Sequence, residues 1–212
     1  MNKPYVIINC AMTLDGKIAS KYGKQIKISC EEDIKRMYKL RNNSDAVLVG
    51  IGTVLSDNPR LTVKEKYIKD PKQPIRIVLD TNCRTPLDAL VVNNDSKTFV
   101  IIGKDCNKKF PDNVELIKCK IDKEGLIDLE NLIQILQEKK IKKLMVEGGS
   151  TVIGSFLKSN LVDDMFVYVA SMIIDGANTP TLVKNINKNI NLKLVQSKKL
   201  GLGILLHYRL IK

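Results

Sequence analysis

Three short segments hold most of the residues whose types and spacing could do chemistry. Gly50-Ile51-Gly52-Thr53 runs on to Asp57. Leu79-Asp80-Thr81 ends an apolar stretch in polar groups. Glu147-Gly148-Gly149-Ser150-Thr151 sets a carboxylate before two glycines. Glycine lets the backbone approach a ligand, and the first amides of a helix lack intrahelical acceptors. Segments of this kind can therefore cradle an anion such as a phosphate. Each also has a plainer reading. A double glycine after a strand is an ordinary tight turn, and Asp57 before Asn58-Pro59 fits a turn residue. Glu147 could serve only as a helix-dipole partner. Neither a Gly-x-Gly-x-x-Gly fingerprint nor a Lys-Ser/Thr P-loop is present.

The elements that must position these residues alternate. Apolar runs predict strands at Tyr5–Asn9, Ala46–Val49, Ile75–Leu79, Thr98–Ile102, Val114–Ile117, Lys143–Glu147 and Asp164–Ala170. Two more, Leu192–Lys198 and Ile204–Leu210, flank Gly201-Leu202-Gly203 and read as antiparallel. Ser29-Cys30-Glu31-Glu32 has the form of a capping box, opening a helix that ends near Asn42-Asn43. Asp128 caps a helix with an apolar face of Leu129, Leu132, Ile133 and Leu136. Met12–Ala19 reads as a loop turning at Asp15-Gly16, and the polar stretch 64–73 as a surface loop. Strand–helix alternation predicts an α/β chain, with a mostly parallel sheet covered on both faces and an antiparallel C-terminal edge. In such sheets ligands bind beyond the carboxyl ends of the strands, where the three segments fall. With no repeat or Pro/Gly-rich linker, residues 1–212 read as a single domain.

Composition excludes some classes. Apolar residues are 44% of the 212, which fits a globular chain rather than a disordered one. No apolar run approaches the roughly 20 residues of a membrane helix, and the first residues lack a signal-peptide pattern, so a cytoplasmic location is expected. The five cysteines form no Cys-x-x-Cys pair and there is one histidine, His207, so no zinc site is expected. The cysteines read as free and non-catalytic thiols. The formal charge of +12 is compatible with nucleic acid or with anionic small molecules. The lysines are dispersed, however, and only four Phe and no Trp are available for base stacking, so no nucleic-acid partner is expected.

Taken together and in order, the motifs resemble a known family. They are Asn9–Ala19, Ile28-Ser29, Arg41, Val49–Thr62 with its Gly-Ile-Gly-Thr-Val-Leu-Ser-Asp-Asn-Pro-Arg-Leu-Thr run, Arg76–Thr81 and Val146–Thr151. The ordered set is similar to the riboflavin-pathway reductases, most of all their stand-alone archaeal branch, and spans nearly the whole chain. The resemblance implies a three-layer, dihydrofolate-reductase-like fold, NADPH as cofactor and a homodimer, for which Gly203–Leu206 could supply apolar surface. It implies reduction of the ribosyl group of 2,5-diamino-6-(ribosylamino)-4(3H)-pyrimidinone 5′-phosphate to a ribitylamino chain. The alternatives are the deaminated substrate 5-amino-6-(5-phosphoribosylamino)uracil, dihydrofolate, a basic RNA-binding protein, or an inactive homologue. The zinc-deaminase signature of bacterial relatives is not found in these residues, which implies a route with reduction before deamination.

Position by position, the resemblance places Ala11, Thr53, Asp57, Val78, Leu79, Asp80, Thr81, Gly149, Ser150, Thr151 and Val152 around the cofactor. It places Gln25, Arg41, Leu61 and Glu147 at the substrate. Lys27 stands where bacterial relatives often have Trp. Arg41 suits a 5′-phosphate, because guanidinium binds phosphate bidentately. No proton donor stands out; Glu147 and Asp15 are the candidates.

Overall fold

The computed structural model describes residues 3–20 and 26–211. Gln25 lies outside the described residues. Strands β1 (Tyr5–Thr13), β2 (Ala46–Gly50), β3 (Ile75–Leu79), β4 (Thr98–Ile102), β5 (Val114–Lys118), β6 (Lys143–Gly148), β7 (Asp164–Ala170), β8 (Leu192–Leu200) and β9 (Gly203–Leu210) join in one sheet. Their order is β5-β4-β3-β2-β6-β1-β7-β9-β8. The first seven strands pair in parallel, while β9 runs antiparallel to β7 and β8. The expected mostly parallel sheet with an antiparallel edge is thus present.

Helices α1 (Glu31–Asn42), α2 (Ile51–Asp57), α3 (Leu129–Glu138) and α4 (Ser150–Lys158) make the outer layers. The alternation along β6 shows the partition. Leu144 and Val146 pack with Leu132 and Leu136 of α3 and Phe156 of α4, while Met145 faces Ile51 and Val54 of α2 and Met37 of α1. Burying both faces explains why these strands are apolar without a break. The chain leaves β1 across the position of β6 to build β2 to β5, then returns to place β6 between β2 and β1. This reversal opens a crevice beyond the carboxyl ends of β1, β2 and β6.

Three local expectations are corrected. Cys30, not Ser29, precedes the first turn of α1, and no side chain caps it. The Ser29 hydroxyl instead donates to Asp33 at 2.6 Å, so there is no capping box. β1 continues past Asn9 to Thr13 because β7 pairs with it as far as Ala170, and the Asp15-Gly16 turn follows. Two of the five cysteines are not free: Cys83 and Cys106 are bonded, with Cα atoms 5.7 Å apart. They follow the neighbouring strands β3 and β4, whose pairing brings the two loops together. Cys10, Cys30 and Cys119 are free. The cap expected at Asp128 is present, with its carboxylate accepting the Asn131 amide at 2.9 Å.

Candidate active site

The crevice holds two joined lobes. One, of about 460 Å³, lies over the starts of α2 and α4 and the end of β3, and is lined by Thr53, Asp57, Thr81 and Gly149 to Val152. The other, of about 530 Å³, lies over β1 and α1 and is lined by Ala11, Lys27, Asp33, Arg41 and Glu147. Ile18, Thr53, Asp57 and Gly149 line both, so they mark the junction.

Local backbone explains the shape of the first lobe. Gly148 has φ +129°, a conformation L side chains rarely adopt. A Cβ added at Gly149 would lie 3.3 Å from the Thr53 hydroxyl, and one at Gly50 would lie 2.7 Å from Val152. These glycines let β2 and α4 approach closely. The first turn of α4 carries no acidic residue, and its leading amides lack helical acceptors. Arg84 and Lys184 also line this lobe and carry no hydrogen bond or ion pair to another described residue. An anion-holding surface results.

The second lobe is built around an ion pair. Arg41 donates through Nε and Nη2 to the two oxygens of Glu147, both at 2.7 Å, and through Nη1 to the Thr62 carbonyl at 2.8 Å. The side chains are 11% and 13% exposed. Burial works against the Arg41 charge, but the Glu147 carboxylate outweighs it and raises the guanidinium pKa. The fork expected to meet a phosphate is therefore turned onto Glu147, and Glu147, otherwise an unexplained carboxylate, has its counter-ion. A register shift aims it there. Leu48 pairs with Val146 but Val49 with Gly148, which leaves Glu147 as the extra residue of a bulge. Beside this pair, Asp33 accepts from Ser29 and from Arg36, which also reaches Asn9 at 2.6 Å. Burial pushes the Cys10 thiol pKa up to about 12, which makes it a poor nucleophile.

Most of the candidate cofactor residues come together. Thr53, Asp57, Leu79, Thr81 and Gly149 to Val152 share the first lobe, and Ala11 lies in the second. The Ser150 hydroxyl is taken by the Thr181 carbonyl at 2.6 Å. Val78 and Leu61 point into the core, so a ligand could meet only their backbone. Asp80 is fully buried and accepts from the amide and hydroxyl of Thr85. Asp15 accepts from the Thr13 hydroxyl, which lowers its pKa, and from the Ile174 amide. It lines neither lobe.

The strap over the junction was not legible in the sequence. Lys17 bridges to Thr181, and the Ile18 amide donates to Pro180. This sets Ile18, Pro180 and Leu182 against the ligand space. No motif marks these residues; only the fold brings positions 18 and 180 together.

Comparison with known proteins agrees with this geometry. The family model described as "RibD C-terminal domain" matches residues 4–206. The chain belongs to this family. Among curated relatives, the 2,5-diamino-6-ribosylamino-4(3H)-pyrimidinone 5′-phosphate reductase of Archaeoglobus fulgidus is 42% identical over 85% of this chain and 86% of its own. The protein of the same name from Methanothermobacter thermautotrophicus is 38% identical over 97% and 98%. Among solved structures, the deaminase/reductase of Thermotoga maritima superposes with a TM-score of 0.85 at 27% identity, over 99% of this chain and 57% of that one. The RibD C-terminal domain fold thus accounts for the nine-stranded sheet, and its strand ends carry the two-lobed crevice.

Proposed function

We propose that this protein reduces the ribosyl group of 2,5-diamino-6-(ribosylamino)-4(3H)-pyrimidinone 5′-phosphate to the ribitylamino product, with NADPH as the reductant. The observation that carries this reading is the pair of lobes meeting at Ile18, Thr53, Asp57 and Gly149. A hydride donor and its acceptor need adjoining sites closed to water. The first lobe fits a dinucleotide. Its glycine-lined cradle and free helical amides suit a pyrophosphate, while Arg84 and Lys184 offer charge for a further phosphate. The residues that would hold the cofactor are Thr53, Asp57, Thr81 and Gly149 to Val152, with Ala11 at the junction side and the backbone of Val78 to Asp80 behind. When bound, the nicotinamide supplies the hydride that reduces C1′.

The second lobe orients the substrate. Arg41 and Glu147 hold each other rigidly, and the remaining lone pairs of Glu147 can accept from amino or hydroxyl groups. Both Glu147 oxygens already accept from Arg41, and Asp15 lies outside the lobes, so neither is assigned as proton donor. Solvent water fills that role. Ile18 and the strap around Pro180 exclude bulk water from the junction. The exposed apolar residues Leu194, Val195 and Ile204 on β8 and β9 support a homodimer, covered by a second copy across a two-fold axis. Nothing in the described helices is long and apolar enough to cross a membrane.

The test is consumption of NADPH or NADH with each pyrimidine offered in turn. We expect turnover of the pyrimidinone with NADPH and tighter binding of NADPH than NADH. Preferred turnover of the uracil form, or equal affinity for the two cofactors, would overturn the corresponding part of the reading.

A further inference from the structure

The second lobe must accommodate a dianionic phosphate if it takes the substrate proposed above, on which this inference rests. The charges there are largely spoken for. Arg41 is neutralised by Glu147 through two 2.7 Å bonds, and Asp33 is paired with Arg36 at 2.7 Å. Asp57, at the junction, adds a negative charge. A phosphate placed against the Arg41–Glu147 pair would meet a group of net zero charge, with the guanidinium fork already filled. One described cation lining this lobe has no hydrogen bond or ion pair to another described residue, and that is Lys27.

We propose that Lys27 is the phosphate-binding residue of the substrate lobe and sets its preference for a 5′-phosphorylated ribosyl group. Three features support this. Lys27 lines the second lobe and not the first, so it lies on the side away from the cofactor phosphates. The reacting C1′ and the 5′-phosphate are opposite ends of one ribose, so a substrate with C1′ at the junction directs its phosphate away from it. The stretch carrying Lys27 is also anchored, because Ser29 is tied to Asp33 at the start of α1. An ammonium on a flexible stem, exposed when no ligand is present, suits a phosphate that enters and leaves with each turnover.

The experiment compares Lys27→Gln and Lys27→Arg with the natural protein in two assays. One is steady-state reduction of the phosphorylated pyrimidinone. The other is calorimetric titration of the NADPH-saturated protein with ribose 5-phosphate and with ribose. We expect Lys27→Gln to raise KM about tenfold at near-normal kcat and to weaken ribose 5-phosphate by a similar factor. Ribose and NADPH affinities should not move, and Lys27→Arg should restore most of the loss. Unchanged ribose 5-phosphate affinity in Lys27→Gln, or a loss of NADPH affinity instead, overturns the proposal. If the natural protein fails to turn over the pyrimidinone, the functional reading falls, while the ribose 5-phosphate titration still decides the role of Lys27.

Discussion

Replacing Arg41 by Met removes the counter-ion of a carboxylate that is only 13% exposed. Breaking a buried pair from one side strands the partner charge, at a cost of about 3–5 kcal/mol. For a domain of this size each kcal/mol is worth about 2–4 °C in Tm, so Arg41→Met should lower Tm by roughly 6–20 °C. Glu147→Gln is milder, since an amide oxygen still accepts from the guanidinium. We expect a loss of about 1–3 kcal/mol in stability and a tenfold to few-hundredfold fall in kcat/KM, with NADPH affinity retained. The double variant Arg41→Met/Glu147→Leu removes both charges and should be more stable than Arg41→Met alone. Thermal unfolding of the four proteins closes a double-mutant cycle. Single-variant effects that simply add, within about 0.5 kcal/mol, would show that the two residues are not coupled and refute the reasoning. A loss of NADPH binding in Glu147→Gln with an unchanged substrate KM would show instead that the two lobes have been assigned the wrong way round.

Gly149→Ala places a methyl 3.3 Å from the Thr53 hydroxyl at a residue whose φ of −74° suits any side chain. NADPH affinity should fall about tenfold with the unfolding transition nearly unmoved, and an unaltered dissociation constant would count against the cradle. Asp164 gathers the Tyr5 hydroxyl, His207 at 2.8 Å and Arg209 at 3.0 Å. Burial pushes its pKa up, but these hydrogen bonds outweigh that and hold it below the ordinary carboxylate range. Its stabilisation is therefore present above about pH 4 and lost as pH falls through the lowered value. Asp164→Asn should flatten that part of the acid unfolding curve; a curve of unchanged slope would exclude the linkage. Light scattering should give a dimer mass at micromolar concentration, and a monomer would leave the β8–β9 surface without its assigned partner.

Much of this protein was fixed at short range and so could be read directly. The apolar runs, the Asp128 cap and the Gly201–Gly203 turn depend on neighbours a few residues away, and these elements form where the pattern puts them. The glycines before α2 and α4 marked the ligand edge for the same reason. Long-range geometry was another matter. Arg41 and Glu147 are 106 residues apart, and only the placement of β6 between β2 and β1 with a bulge at Glu147 turns them toward each other. Ser29 looked like a cap, but its hydroxyl serves Asp33 in a network that Arg36 extends to β1. The Cys83–Cys106 bond depends on β3 lying beside β4, and the strap on residue 18 meeting residue 180. Local sequence determined which elements exist and which strand ends can hold an anion. Tertiary structure decided which charges neutralise one another, because that depends on side chains that meet only after the sheet has ordered its strands.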